Sequence, residues 1–440
     1  MAKRYLIETF GCEMNVLDSE RMAGLLEAAG YEEAPDAAEA DVIVLNTCAV
    51  REKVEDKIFS RVGELRADAL ASGAAPIIAV AGCLAQQSGA AFFRRAGSVD
   101  VVVGTRAVRQ LPLMVDEALR TRGRQIDINP YEDVSFPLDL VKRSDPVKAR
   151  VTIIEGCNDR CAYCVVPRTR GHERMRPKAE ILAEVREAAS SGHSEIHLLG
   201  QIVNHYSAPD DLDCDFARLL EAVDGVPGVK RIRFASPHPR HVTDRMIEAM
   251  RGLPRVCQHL HLPVQSGSTR ILAAMRRRHT REEYLELVQA VRDRVPGIQL
   301  STDMIVGFPG ESEGDFQQTL SLVKAVRFHS MFSFKYSERP GTPAAGRLAD
   351  DVPEAEKARR LSVLQELQKA IQQELHSAAL RSTLDVLVDG VSRRRGTEVS
   401  GRTSGNTVVN FPGDHGLLGA IVPVRIERAG VNSLWGRIVA

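Results

Sequence analysis

Neither sign of charge dominates this chain: 58 Lys and Arg stand against 58 Asp and Glu, a formal net charge of zero. A whole-molecule field that gathers a polyanion is therefore excluded, and any nucleic-acid contact has to be a local patch. Long hydrophobic runs are also missing, none nearing the roughly 20 apolar residues that a membrane helix needs. Met1-Ala2-Lys3-Arg4 leads into a strand-like segment rather than a signal sequence, so the chain reads as cytoplasmic, with no membrane partner. In that compartment a disulfide framework is not expected, and the eight Cys point instead to metal or redox chemistry. What is present is ordinary for a globular protein: 44% hydrophobic and 26% charged residues. A length of 440 residues exceeds one ordinary core and suits two or three domains.

The Cys fall into arrays. Residues 151–154 read as a buried strand, followed by Glu155, Gly156 and then Cys157, Cys161 and Cys164 in a C-x-x-x-C-x-x-C spacing. Zinc is one candidate, but zinc sites usually close with four protein ligands. Here the local set stops at three, because His172 lies beyond Pro167 and Gly171. A 4Fe-4S cluster held by three thiolates keeps one iron free for a small molecule, which suits the set better. Cys12, Cys48 and Cys83 form a second set. Each follows a strand-like run, at residues 4–9, 41–45 and 77–81, on the side where open α/β sheets hold ligands. Three buried small residues are the plain alternative. Packing has no reason to choose strand ends three times, whereas iron-sulfur ligation does. Cys214 and Cys257 belong to no array and read as structural.

The remaining pattern divides the chain. Residues 16–29 and 108–119 carry helical spacing, 99–103 a fourth strand, and 120–148, with Pro130, Pro137 and Pro146, a turn-rich connection. Candidate strands at 151–155, 195–199, 231–235, 259–262, 298–305 and 331–336 then alternate with helical segments such as 178–189, 243–250, 281–294 and 314–325. Six β/α repeats imply a partial barrel with its site at the C-terminal strand ends. Residues 354–380 predict a long amphipathic helix packed on that barrel. Five short strands at 384–388, 398–402, 407–410, 421–426 and 433–438 predict a small β-barrel. The expected fold class is α/β: an open α/β sheet domain at 1–125, a connection at 126–146, a partial (β/α)6 barrel at 147–378 and a small β-barrel at 379–440.

Basic residues cluster in two places. Arg276, Arg277, Arg278 and His279 form a run that reads either as a solvated helix face or as a phosphate contact. The terminal barrel adds Arg393, Arg394, Arg395, Arg402, Arg425, Arg428 and Arg437, partly offset by acids. Small β-barrels with basic loops commonly hold RNA by shape and backbone.

Glu155-Gly156-Cys157, the Cys spacing and Tyr163 resemble the radical S-adenosylmethionine (SAM) enzymes. Nearly the full length resembles the methylthiotransferases within that superfamily, most closely the MiaB-type tRNA enzymes. That resemblance is carried by Gly11-Cys12-Glu13-Met14-Asn15, by Asn46-Thr47-Cys48 with Arg51-Glu52-Lys53, and by Val165-Val166-Pro167-Arg168-Thr169-Arg170-Gly171. Ser236-Pro237-His238-Pro239 and residues 332–343 fit it too. It implies two 4Fe-4S clusters, an auxiliary one on Cys12, Cys48 and Cys83 and a SAM-binding, catalytic one on Cys157, Cys161 and Cys164. It also implies SAM contacts at Tyr163, Gly200, Gln201, Ser236, Gln265 and Asp303, and a TRAM-type RNA-binding barrel. The implied activity converts N(6)-isopentenyladenosine next to the tRNA anticodon, position 37, to its 2-methylthio derivative, one SAM giving the methyl group and one the radical. Arg168, Arg170, Arg276 and Arg277 are the candidate substrate contacts. Implied partners are tRNA, a flavodoxin- or ferredoxin-type electron donor and iron-sulfur supply proteins, with the chain acting as a monomer. Glu13, Arg168 and Ile202 depart from the family pattern where Gln, Tyr and Asn are usual. Arg168 and Ile202 bear on substrate choice, which leaves a sister enzyme acting on threonylcarbamoyladenosine or a ribosomal-protein aspartate open, and more distantly a non-catalytic iron-sulfur RNA-binding protein.

Overall fold

A computed structural model of the protein describes residues 2–49, 52–73, 75–129, 140–392 and 398–439, the side chains of residues 52–54 apart. Arg51, the side chains of Glu52 and Lys53, Pro130, Pro137 and the basic run Arg393 to Arg395 lie outside the described residues. The chain forms two units. One comprises Met1–Ser144, Glu155–Asp159 and Cys164–Arg174; the other comprises Asp145–Ile154, Arg160–Tyr163 and Met175–Ala440.

In the first unit, six strands form one parallel sheet: β1 (Arg4–Phe10), β2 (Glu32–Glu33), β3 (Val42–Thr47), β4 (Ile77–Gly82), β5 (Val101–Val103) and β6 (Gln125–Asp127), in the order β2-β1-β3-β4-β5-β6. Parallel strands covered on both faces read as unbroken apolar runs, and every residue of β3 and β4 is buried. Ile43, Leu45, Ile78 and Val80 serve one face with Phe92, while Val42, Val44, Ile77 and Ala79 serve the other with Met22 and Leu26. The helix Glu13–Ala28 begins earlier than periodicity indicates, because Cys12 caps it in an extended conformation. Several elements escape the sequence pattern, the short helices Cys83–Ser88 and Ala91–Arg95 among them. β2 and β6 are short and largely polar, and among its described side chains the helix Glu52–Ser72 buries a narrow stripe, Ile58, Val62 and Leu65, between charged residues.

The second unit holds the expected repeats. Strands β7 (Lys148–Thr152), β8 (Glu195–Leu199) and β9 (Arg231–Phe234) pair in parallel as β9-β8-β7, and β10 (His259–His261), β11 (Gln299–Val306) and β12 (Ser330–Lys335) as β10-β11-β12. A single parallel bridge, Ile232 to Val256, joins the two ladders between β9 and β10. Val151, Leu198, Ile232, Leu260, Leu300 and Met304 point to the surrounding helices and build the largest core. The alternate positions, among them Arg150, Glu195, Arg233, His261, Ser301 and Asp303, face the barrel interior, since strand side chains alternate between faces. The helix Glu354–Ala378 packs on this barrel through Leu364 and Ile371.

Five further strands, β13 (Thr383–Val391), β14 (Glu398–Thr403), β15 (Val408–Pro412), β16 (Ile421–Ala429) and β17 (Leu434–Ile438), close a small barrel in the order β13-β14-β15-β17-β16. Its core is Val386, Val388, Val399, Val409, Phe411, Val424, Ile426 and Leu434. The turn after β14 sits against the N-terminal ends of the larger barrel's strands. Arg233 donates to the Thr403 and Ser404 carbonyls at 2.7 and 3.1 Å, Arg231 to the Asp385 carbonyl at 2.8 Å, and the Gln258 amide to Ser404 Oγ at 2.8 Å. Gly405 permits that approach: a Cβ there would lie 2.2 Å from Gln299. The small barrel thus occupies the end of the larger one that is opposite to its C-terminal loops.

Candidate functional site

In the first unit, β1, β3 and β4 are neighbours whose ends are in register, Phe10 beside Thr47 and Thr47 beside Gly82. Each strand therefore delivers its Cys to the same edge. Cys12 caps the helix Glu13–Ala28, Cys48 follows β3 with its amide bonded to the Phe10 carbonyl at 3.0 Å, and Cys83 opens the helix Cys83–Ser88. Two buried Asn lace these ends together. The Asn15 amide group donates to Asn46 Oδ1 and the Thr47 carbonyl, both at 3.2 Å, and Asn46 donates to the Asn15 carbonyl at 2.7 Å. Gly82, at φ +91°, admits this packing, since a Cβ would lie 2.5 Å from Asn46 Oδ1. The Cys12 thiol is drawn down to about 6 by a hydrogen bond from Cys48, against burial and with help from the Arg170 charge. Burial pushes the Cys83 thiol up, and Arg170 opposes it. Cys48 and Cys83 are buried and Cys12 is open to solvent. Among the described residues no three His, Cys, Asp or Glu side chains converge as ligands of a single ion. A 4Fe-4S cluster asks for something wider, a triangle of thiolates on separate irons, and an edge carrying three Cys with one lowered thiol fits that demand.

The chain passes between the units inside the other Cys loop, so Cys157 and Cys164 belong to the first and Cys161 to the second. In the first unit, the Cys157 amide bonds to the Gly171 carbonyl at 3.1 Å. Gly156 is required there: its φ is +79° and a Cβ would meet the His172 carbonyl at 2.2 Å. Cys157 and Cys161 are buried, Cys164 half-buried. In the second unit, Ala162 bonds through its amide to the Met275 carbonyl at 2.9 Å and through its carbonyl to the Ala344 amide at 2.8 Å. Tyr163 packs against an apolar group that contains Phe308 and Tyr336.

Of the other expected SAM contacts, Gly200, Gln201, Ser236 and Gln265 follow the ends of the same barrel's strands, whereas Asp303, expected at a strand end, lies inside β11 (Gln299–Val306). Gly200 lets the chain pass close to Ile154, where a Cβ would sit 3.1 Å from its carbonyl. Gln201 keeps a buried Oε1 with no hydrogen-bond donor among the described residues. Ser236 and Gln265 adopt left-handed backbone, φ +60° and +79°, which costs a non-Gly residue about 1 kcal/mol or more and collects at functional sites. The Gln265 amide donates to the Asp303 carbonyl at 3.0 Å, and the Asp303 carboxylate faces His261 at 3.5 Å.

The four candidate arginines separate. Arg168 and Arg276 are exposed. Arg277 is buried, donating to the Pro263 carbonyl at 2.8 Å and to Cys161 Sγ at 3.6 Å. Arg170 is buried against Asp18 at 2.5 Å. The expected phosphate contact is therefore corrected for Arg170 and Arg277, whose guanidinium groups are used inside the fold. Sequence reasoning gave no role to Asn15, Asn46, Asp18 or the buried pair Arg21 and Glu155 at 2.8 Å. It also gave none to His238, which burial and then Arg277 hold neutral, its pKa about 2. For Asn15, Asn46, Asp18 and Glu155 the available signal was a place within six residues of a Cys, whereas Arg21 and His238 carried none.

A six-stranded parallel partial barrel with a three-Cys loop after its first strand, joined to a small closed barrel, defines a radical SAM protein. The chain matches the Radical SAM superfamily over residues 151–323, a TRAM domain over 378–439 and the uncharacterized protein family UPF0004 over 4–104. Among solved structures it is similar to the radical SAM methyltransferase TsrM from Kitasatospora setae, with a TM-score of 0.56, 14% identity and coverage of 78% of this chain and 74% of that one. It is also similar to the cobalamin-dependent SAM radical enzyme OxsB, with a TM-score of 0.51, 12% identity and coverage of 84% and 56%. At these identities the likeness speaks to the fold alone. Sequence relatives go further. The tRNA-2-methylthio-N(6)-dimethylallyladenosine synthase of Thermoanaerobacter sp. (strain X514) is 44% identical over 99% of this chain and 92% of that protein, and that of Alkalilimnicola ehrlichii 45% identical over 100% and 98%. The chain belongs to the family of tRNA-2-methylthio-N(6)-dimethylallyladenosine synthases.

Proposed function

We propose that the protein converts N(6)-isopentenyladenosine at tRNA position 37 to 2-methylthio-N(6)-isopentenyladenosine. The observation that carries this reading is the three-Cys edge of the first unit, present together with a radical SAM loop in one chain that is similar to these synthases from end to end. When bound, the two 4Fe-4S clusters and SAM supply one-electron cleavage of the sulfonium, hydrogen-atom removal and sulfur donation.

The protein's part is to hold, orient and shield. Cys157, Cys161 and Cys164 hold the SAM-binding cluster, and Cys12, Cys48 and Cys83 the auxiliary one. Gln201, whose buried Oε1 meets no donor of the described residues, would hold the methionyl group of SAM by a hydrogen bond, Gly200 would give that group room, and Ser236, Gln265 and Asp303 would line the approach. Tyr163, packed with Phe308 and Tyr336, excludes water from the adenosyl side. A dry site matters because a primary radical otherwise reacts elsewhere. Arg168 and Arg276 meet tRNA phosphates, supported by their exposure on a chain with no net charge to attract RNA at large. A flavodoxin- or ferredoxin-type donor and iron-sulfur supply proteins serve it in the cytoplasm, where it works as a monomer. Among the described residues no helix is long and apolar enough to cross a membrane.

Mass spectrometry of tRNA nucleosides from a deletion strain tests the assignment. Methylthio-isopentenyladenosine should vanish, the unmethylthiolated nucleoside accumulate, and the gene restore the product. An unchanged methylthio pool sinks it. In vitro, replacing Cys157, Cys161 and Cys164 with Ala should remove about half the iron and all SAM cleavage, because one of two equal clusters is lost.

A further inference from the structure

The segment after Cys164 belongs to the same unit as the three-Cys edge. Val165 is buried in the core that contains Cys83, Leu84 and Ala85, and the short helix Val166–Thr169 follows it. This delivers Arg170 to the edge as a buried cation. Its guanidinium pairs with Asp18 at 2.5 Å, its carbonyl is fixed by Arg106 at 2.9 Å, and the short helix that precedes it packs on the helix Cys83–Ser88. Asp18 comes from the helix that Cys12 caps. Arg21 and Glu155, in the same unit, pair with each other at 2.8 Å. Arg170 is the cation that draws the Cys12 and Cys83 thiols down, with Asp18 as its counter-ion.

We propose that Arg170 and Asp18 form a charge couple that sets the reduction potential of the auxiliary cluster: Arg170 is a positioning residue that donates to the Cys83 sulfur and stabilises the reduced cluster, and Asp18 limits that effect. Hydrogen bonds to cluster sulfurs and local net charge are the levers by which proteins move such potentials. An opposite charge within about 4–6 Å shifts a charge equilibrium by one to three powers of ten. The inference rests on Cys12, Cys48 and Cys83 holding a cluster.

Full-length protein with Cys157, Cys161 and Cys164 all replaced by Ala isolates that cluster, and its iron and sulfide content is measured first. A background that binds no cluster refutes the ligand assignment and this proposal with it. Potentiometric titration followed by electron paramagnetic resonance then compares variants. Arg170→Met should lower the reduction equilibrium constant at least tenfold, about 59 mV for one electron. Asp18→Asn should raise it, and Arg170→Lys, which keeps the charge, should stay between the wild type and Arg170→Met. Potentials unchanged in both Arg170→Met and Asp18→Asn, or moved in the same direction, overturn the proposal. So does loss of the cluster from all three variants alike, which assigns the pair to folding alone.

Discussion

Arg233→Met tests how the small barrel is seated. Arg233 is 6% exposed and directs three donors into the protein: one to Glu195 at 2.9 Å and two to the Thr403 and Ser404 carbonyls. Removing one partner of a buried pair costs about 3–5 kcal/mol. Each carbonyl left bare would cost about 1–3 kcal/mol if no water replaced the donor. These costs overlap, because the same side chain carries them, and we expect a loss of about 4 kcal/mol, the middle of the ion-pair range, with the carbonyls partly rehydrated. The pH dependence should weaken as well. Burial pushes the Glu195 carboxyl up, but Arg233 and then His197 outweigh it and hold it well below the ordinary value of 4.5. In the wild type this stabilisation is complete above about pH 4.5 and is lost as pH falls. With Met at 233 the first of these opposing partners is gone, so the folded carboxyl moves back up, and the variant should lose less stability than the wild type as pH falls below about 4.5. The chain's single Trp, Trp435, lies in β17 and bonds to Glu398 at 2.9 Å. Urea unfolding followed by its emission, anaerobically at several pH values, reads the small barrel directly. A loss below about 1 kcal/mol, the size of a surface pair, with an unchanged pH slope would refute the reasoning.

Three further outcomes follow from other parts of the molecule. Gly156→Ala forces a positive φ on an L side chain and drives its Cβ to 2.2 Å from the His172 carbonyl, so iron content at the radical SAM loop should fall by about half while the auxiliary cluster stays loaded; full loading would show that the loop relaxes freely. Phe316, fully buried in the main core of the second unit, should cost about 3–5 kcal/mol when replaced by Ala, measured by thermal unfolding; a loss under about 1 kcal/mol would mean that the cavity collapses. Arg168→Ala and Arg276→Ala should each weaken tRNA binding and lower the slope of log affinity against log salt by about 0.7–0.9, the value of one phosphate contact. An unchanged slope removes that residue from the interface.

The fold was largely legible because its strands are parallel and covered on both faces. Val42–Thr47 and Ile77–Gly82 could hardly be anything but buried strands, and the second unit repeats strand and helix patterns at even spacing. Legibility failed where burial involves few side chains. β2 is two glutamates and β6 three residues, both held by backbone pairing that periodicity does not record. The helix Glu52–Ser72 hides the buried Ile58, Val62 and Leu65 among charged neighbours.

The site divides along the same line. Cys12, Cys48, Cys83 and Cys157 stood out because each lies just beyond a strand, a position that topology carries to a sheet edge or barrel mouth, and Cys161 and Cys164 by their spacing from Cys157. Arginines gave no such signal. In sequence, Arg168 and Arg170 look alike and so do Arg276 and Arg277, yet one of each pair is exposed and the other buried. What decides is a partner far along the chain, Asp18 at a separation of 152 residues for Arg170 and Cys161 at 116 for Arg277. Local composition carries no trace of either.

The larger barrel is accordingly built with two working ends. Beyond the C-terminal ends of its strands lie Gln201, the left-handed Ser236 and Gln265, whose amide meets the Asp303 carbonyl, the SAM contacts that we propose. At its N-terminal end Arg231 and Arg233 are committed to carbonyls of the small barrel. Buried ionic groups seldom add stability over an apolar filling, so stability alone does not explain an interior of Glu195, His197 and Arg233. Their directional bonds do fix the register of the small barrel, since each donor meets one carbonyl and a shifted turn would leave charge bare. In a TIM-like barrel the N-terminal face carries stability and the C-terminal face chemistry. Here the N-terminal face holds the small barrel in one orientation, so RNA bound by the small barrel would meet the larger one in a fixed relation to its C-terminal loops.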